Sequence, residues 1–159
     1  MLIINTGGTF NKRYDPIKGE LFVPQDNRAI EAILTSLVMD ISLQGILYKD
    51  SLEMDDHDRS VLAKTIAQSD EQIIIVVHGT DTMDLSARYV ANLALEKVIV
   101  FTGAMIPFSI DPLEATANLS MAMGYAQNAS NGVYIVMQGV MGRYDSVKKN
   151  KFAGKFEYV

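Results

Sequence analysis

Two short loops hold the residues whose types and spacing allow chemistry: Thr6-Gly7-Gly8-Thr9 and His78-Gly79-Thr80-Asp81-Thr82. Each follows a run of apolar residues, Leu2 to Ile4 and Ile73 to Val77. A threonine hydroxyl is a poor nucleophile until a neighbouring group takes its proton, so Thr9 on its own marks only a strand-end turn. Thr80 and Asp81 add a second hydroxyl and a carboxylate. The carboxylate suits a substrate ammonium, and N–H groups of the loops suit a carbonyl oxygen or oxyanion. His78 is either a base or a strand-end side chain satisfied by hydrogen bonds. Tyr14, five residues past Thr9, is placed to reach back towards its hydroxyl. Lys149 lies in the basic segment Val147-Lys148-Lys149-Asn150-Lys151. Such runs are usually solvated, but a desolvated lysine can act as a base or activate a hydroxyl. His57 beside Asp55, Asp56 and Asp58 resembles a metal cluster. Acids crowded at one helix start are favoured by the helix dipole, so no metal site is expected there.

The apolar runs that precede the two loops do not alternate, which fits strands buried on both faces of a parallel sheet. Open α/β sheets place ligands at the carboxyl ends of such strands, where both loops lie. Asn11 to Pro24 reads as a long exposed loop or loose hairpin, a candidate lid. Asp26 is a candidate cap for a helix with apolar positions Ile30, Ile33, Leu34, Leu37, Val38 and Ile41. The spacing then predicts a strand over Ser42 to Tyr48 and a helix over Asp55 to Gln68 with Val61, Leu62 and Ile66 inward. Beyond the strand Ile73 to Val77 comes a helix over Asp84 to Glu96, facing the sheet with Leu85, Tyr89 and Leu93. A strand over Val98 to Phe101, a largely apolar helix over Leu113 to Gln127 and a strand over Val133 to Met137 follow. The alternation predicts one domain over residues 1–159: a doubly wound α/β fold of flavodoxin type, with a mostly parallel sheet extended by C-terminal hairpin residues.

Composition narrows the partners. The chain has 159 residues and a net charge of −5, which carries no nucleic-acid footprint. It has no cysteine, which excludes disulfides, thiolate metal sites and cysteine nucleophiles. No apolar run approaches a membrane span, and the opening LIIN has no basic leader, so a cytoplasmic protein is expected. GxGxxG is absent, which argues against a dinucleotide.

The motifs TGGTF at Thr6 to Phe10 and HGTDTM at His78 to Met83 resemble the two signatures of the bacterial-type L-asparaginase/glutaminase family. DSLEM at Asp50 to Met54, TGAMIP at Thr102 to Pro107 and the V-x-K-N segment at Val147 to Asn150 extend the likeness, in family order. The resemblance implies the fold of an asparaginase N-terminal domain and hydrolysis of a small amino-acid amide through a threonine acyl-enzyme, with no cofactor. It implies Thr9 as nucleophile with Tyr14 beside it, and Thr80, Asp81 and Lys149 as a second threonine-centred triad, Lys148 being the alternative lysine. Substrate contacts would come from Gly8, Ser51, Leu52, Gly79, Asp81 and Ala104. Ser51 would meet an α-carboxylate, Asp81 an α-amino group, and Ala104 would offer backbone to the side-chain amide. Leu52 and Ile106 stand where many relatives carry polar and arginine residues, so a larger amide than asparagine is an open possibility. Family members are usually about twice this length, so the second, C-terminal domain is expected to be absent. A homo-oligomer, dimer or tetramer, is expected. The alternatives are a non-catalytic amino-acid-binding domain and a subunit of an amidotransferase-like complex.

Overall fold

The computed structural model describes residues 1–159. Its main sheet has six strands: β1 (Leu2–Gly7), β4 (Ser42–Lys49), β5 (Ile73–Val77), β6 (Val98–Thr102), β7 (Gly132–Met137) and β8 (Val140–Arg143). They lie in the order β4-β1-β5-β6-β7-β8, all parallel except β8, which runs antiparallel to β7. The first five therefore follow the flavodoxin order, second-first-third-fourth-fifth. The direction of winding reverses between β1 and β5, and that switch point is where such sheets open a crevice.

Helices cover both faces, which explains the apolar runs. Side chains alternate along each strand. Leu2, Ile4, Ile74, Val76, Ile99 and Phe101 join a core with Leu62, Ala63 and Ile66 of α2 (Asp56–Gln68) and Met83, Ala87 and Val90 of α3 (Met83–Ala91). Ile3, Ile75, Val77, Val98 and Val100 face the other way. There they meet Ile30 and Ile33 of α1 (Arg28–Leu34) and Ala115, Leu119 and Met123 of α4 (Pro112–Ala126). Two small antiparallel hairpins stand outside the sheet: β2 (Arg13–Asp15) with β3 (Glu20–Phe22), and β9 (Val147–Asn150) with β10 (Lys155–Tyr158). No helix is long and apolar enough to cross a membrane.

Three expectations change. The first helix stops at Leu34, so Leu37, Val38 and Ile41 lie beyond it, and Val38 is fully exposed. Thr35 and Ser36 end it: their hydroxyls donate to the carbonyls of Ala32 and Ile33, taking acceptors the helix would otherwise continue on. Its N-cap is Asn27, one residue after Asp26. On α3 the buried face is Met83, Ser86, Ala87 and Val90, whereas Leu85 and Leu93 are exposed. Small residues at Ser86 and Ala87 let the helix lie close on the sheet. Leu85 instead flanks the groove towards Asp56 and Arg59 of α2, while Tyr89, half-buried, borders that groove and packs against the core as expected. Finally, the sheet is extended by β8 alone, and the C-terminal hairpin β9–β10 forms its own two-stranded sheet.

The acids around His57 serve the start of α2. The Asp55 carboxylate accepts from the Asp58 N–H while Asp58 accepts from the Asp55 N–H, a reciprocal capping box. Asp55→Ala is expected to lower unfolding stability by about 1 kcal/mol, read as a shift in the urea midpoint at constant slope.

Candidate active site

The carboxyl ends of β1, β4 and β5 interlock through glycines. Gly7 and Gly8 have φ of 100° and 74°, a region that side chains disfavour. A Cβ on Gly8 would lie 2.5 Å from the Gly79 backbone, and one on Gly79 would lie 2.6 Å from Ser51 Oγ. A Cβ on Gly7 would strike the Lys49 backbone, and the Gly8 N–H donates to the Lys49 carbonyl. The two threonine loops are thus in direct backbone contact, with the Ser51 turn packed beneath the second.

Above this contact, Lys149 Nζ donates to Thr80 Oγ1 and to Asp81 Oδ1, both at 2.8 Å. Thr80 is buried, and the Lys149 and Asp81 side chains keep 12% and 35% of their surface, so the ion pair is partly shielded from water. The β9–β10 hairpin delivers this lysine. Val147 and Phe156 sink into the core, and Lys149 shares the inward face with Val147, two residues before it, and with Phe156 opposite. Lys148 is exposed and makes no bond to Thr80 or Asp81. The structure therefore brings Lys149, not Lys148, to Thr80 and Asp81. An open cleft of about 240 Å³ adjoins the group, lined by Thr80, Asp81, Lys149, Lys148, Lys151 and Phe156.

Thr9 opens a 3-10 turn, Thr9–Asn11, and is half-buried; its hydroxyl bonds no protein group. Ser51 is buried, its Oγ accepting from the Asp81 N–H at 3.3 Å, and Thr82 donates to the Ser51 carbonyl. Ala104 is buried behind Gly103, whose carbonyl accepts from Asn118. Leu52, the residue after Ser51, is 68% exposed. Tyr14 is exposed on β2, its hydroxyl over Gly19 of the same hairpin, and the structure does not bring it to Thr9. Thr6, by contrast, is committed to the sheet, donating to the Val77 carbonyl.

His78 is fully buried. Burial pushes its pKa down from 6.5 to about 4, opposed by its hydrogen bond to Gly79 and reinforced by the charge of Arg59. Nδ1 lies 2.7 Å from the Gly79 carbonyl, which makes Nδ1 the protonated nitrogen of a neutral ring, and Nε2 has no partner. The imidazole stacks edge-on with Phe101 and braces the second loop from behind.

Lys12, Asn5 and Asn11 also belong to this site, and the sequence reading did not single them out. Lys12 pairs with Asp50, tying the Thr9 turn to the Ser51 turn. Burial alone would raise the Asp50 carboxyl. Its hydrogen bonds from Lys12 and the Leu52 N–H, with the charges of Lys12 and Lys149, hold it below the ordinary value. Asn5 and Asn11 lie buried beneath the same turn. Only Asn5, a polar residue inside an apolar run, was visible as an anomaly in the sequence.

The model of the family described as asparaginase, N-terminal, matches residues 1–154. Over 140 residues the chain is 34% identical to a glutamyl-tRNA(Gln) amidotransferase subunit of Nanoarchaeum equitans, covering 84% of this chain and 35% of that protein. It is 23% identical to L-asparaginase of Thermococcus kodakarensis, covering 85% and 43%. Among solved structures, the thermostable L-asparaginase of T. kodakarensis superposes with a TM-score of 0.83 at 21% identity, over 99% of this chain and 50% of that one. The probable cytoplasmic L-asparaginase of Campylobacter jejuni gives 0.77 at 25% identity, with the same coverage. The chain thus spans half or less of the length of these relatives.

Proposed function

From the premise that this chain belongs to the asparaginase family, where it matches the N-terminal domain, we propose that it is an amidohydrolase converting the side-chain amide of a small amino acid to acid and ammonia. One observation carries the reading: Lys149 Nζ holds Thr80 and Asp81 together at the switch point, on a loop in backbone contact with the turn that bears Thr9.

In this reading the Thr9 oxygen attacks the amide carbon. The C–N bond breaks, ammonia leaves with the proton that Thr9 gave up, and an ester on Thr9 remains. Water then attacks the ester, releasing the acid and restoring the hydroxyl. Thr80 relays the proton in both halves. A lysine donating to its oxygen stabilises negative charge there, which makes the hydroxyl a better proton donor. Asp81 holds the lysine and takes the substrate ammonium on its exposed side, Ser51 meets the carboxylate, and N–H groups of the Gly8 and Gly79 loops and Ala104 orient the amide. Tyr14 joins Thr9 only if the β2–β3 hairpin closes over a bound substrate. Leu52, exposed beside Ser51, is placed to meet the outer part of the substrate. The enzyme is cytoplasmic in this reading and works as a homo-oligomer.

A second reading has one observation in its favour, the 34% identity to an amidotransferase subunit: the same hydrolysis would supply ammonia to a partner chain. Ammonia release from asparagine, glutamine and larger amides, with acid quench and mass analysis of the Thr9 peptide, tests both. An acyl mass on Thr9 with ammonia from the isolated chain supports the first. Ammonia only after a second chain co-purifies supports the second. No ammonia from any amide, alongside thermal stabilisation by aspartate, overturns both in favour of a binding domain.

A further inference from the structure

A strand buried on both faces has no place for a carboxamide unless something holds it. Asn5 of β1 is completely buried, and so, nearly, is Asn11 six residues on. The two side chains face each other. Asn11 Nδ2 donates to Asn5 Oδ1 at 2.9 Å, and Asn5 Nδ2 approaches Asn11 Oδ1 at 3.4 Å. Between them they hold both polar groups of Gly7: its N–H donates to Asn5 Oδ1 at 2.9 Å, and its carbonyl accepts from Asn11 Nδ2 at 3.0 Å. Gly7 is the residue whose positive φ turns the chain towards Thr9. The pair flanks Thr9, four residues before it and two after, and closes the turn into a ring from below.

The network has one outlet. Asn5 Nδ2 also donates to Asn27 Oδ1 at 2.8 Å and lies 3.3 Å from the Asp26 carbonyl. The Asp26 carboxylate is paired with Arg13, the first residue of the β2–β3 hairpin. The turn that bears Thr9 and the root of the hairpin over it are thus pinned to one buried pair of amides.

We propose that Asn5 and Asn11 are positioning residues: their paired carboxamides fix the direction of the Thr9 hydroxyl and set the hairpin root against it. Neither touches substrate. The inference rests on the reading of Thr9 as nucleophile. Ser51, Asp81 and Ala104 lie on other loops and are untouched by the pair, so its loss slows the chemical step far more than it weakens substrate binding.

The test compares Asn11→Ala and Asn11→Leu with wild type, and with Leu62→Ala in the core of α2 as a variant destabilised without touching the turn. Asn11→Leu fills the space without hydrogen bonds. Both Asn11 variants are expected to lower kcat about 30- to 100-fold per folded molecule, with KM within about threefold, while Leu62→Ala keeps kcat. Asn27→Ala, at a half-buried position whose side chain makes no capping bond to α1, is expected to lower kcat about threefold at constant KM. A wild-type kcat in Asn11→Leu, or losses confined to thermal stability, overturns the proposal. If the wild type releases no ammonia from any amide, it is the proposed function that fails. The positioning role is then decided by amide hydrogen exchange at Gly8 to Phe10. Exchange at least about tenfold faster in Asn11→Leu but not in Leu62→Ala supports it, and unchanged exchange overturns it.

Discussion

Lys149→Met is expected to lower kcat/KM for ammonia release about 10³-fold, near the floor set by Thr9→Ala, whereas Lys148→Met leaves it within about threefold. The two lysines are adjacent in sequence and carry the same charge, so the contrast isolates geometry. Lys149 makes two 2.8 Å bonds to Thr80 and Asp81, and the exposed Lys148 makes none. Methionine keeps most of the aliphatic stem, so packing against the hairpin survives while the charge is lost. Without that charge, Thr80 loses the donor that makes its proton mobile, and Asp81 is left half-buried without its partner. Circular dichroism and the unfolding midpoint should stay near wild type, because the hairpin is anchored by Val147 and Phe156. Equal losses in the two variants would mean that bulk positive charge, not the Thr80 contact, matters.

Unfolding stability is expected to fall by about 2 kcal/mol between pH 7 and pH 5, and His78→Gln should remove most of that slope. The sign follows from proton counting. The folded-state pKa of His78 is lowered from 6.5 to about 4 by burial, so between those values the unfolded chain binds a proton that the folded chain refuses. The contribution is complete above about pH 6.5 and is lost as pH falls towards 4. The groups around the ring explain why the charge is not rescued: Nε2 has no acceptor, Phe101 presents an edge and Arg59 repels, and the Gly79 hydrogen bond and Asp84, which oppose the shift, do not outweigh burial. A separate loss belongs at lower pH. For Asp26, Asp50 and Asp58, burial works against ionisation, but pairing with Arg13, Lys12 and Lys49 outweighs it and holds each carboxyl below its usual value. Their stabilisation is present above about pH 4 and disappears as these acids protonate beneath it. Urea titrations at pH 7, 6 and 5 read the histidine alone. An unchanged slope in His78→Gln would assign the loss to other groups.

The centre of the sheet was legible because β5, β6 and β7 are buried on both faces and read as unbroken apolar runs. Helices were legible where one stripe is long. They misread where a local competitor ended the helix, as the Thr35 and Ser36 hydroxyls do after Leu34, or where small residues rather than large ones made the contact, as at Ser86 and Ala87. The meeting of the two threonine loops followed from topology alone, since both cap strands at the switch point. The choice between Lys148 and Lys149 was also within reach of the pattern. Val147 is apolar enough to face inward, and a strand returns to the same face two residues later. The carboxamide pair and the Lys12–Asp50 bridge were not legible. Both depend on the path of a glycine turn, which brings together side chains whose sequence separation follows no period.

The hairpin that carries Lys149 also sets an order of events during synthesis. Lys149 comes 69 residues after Thr80, and its strand is held by β10, which ends at Tyr158. While the first five strands leave the ribosome and pack, both threonines are already in place, but the lysine that unites Thr80 with Asp81 is not yet available. In the proposed reading, a nascent chain is therefore chemically silent until the β9–β10 hairpin has docked and brought Lys149 to Thr80 and Asp81.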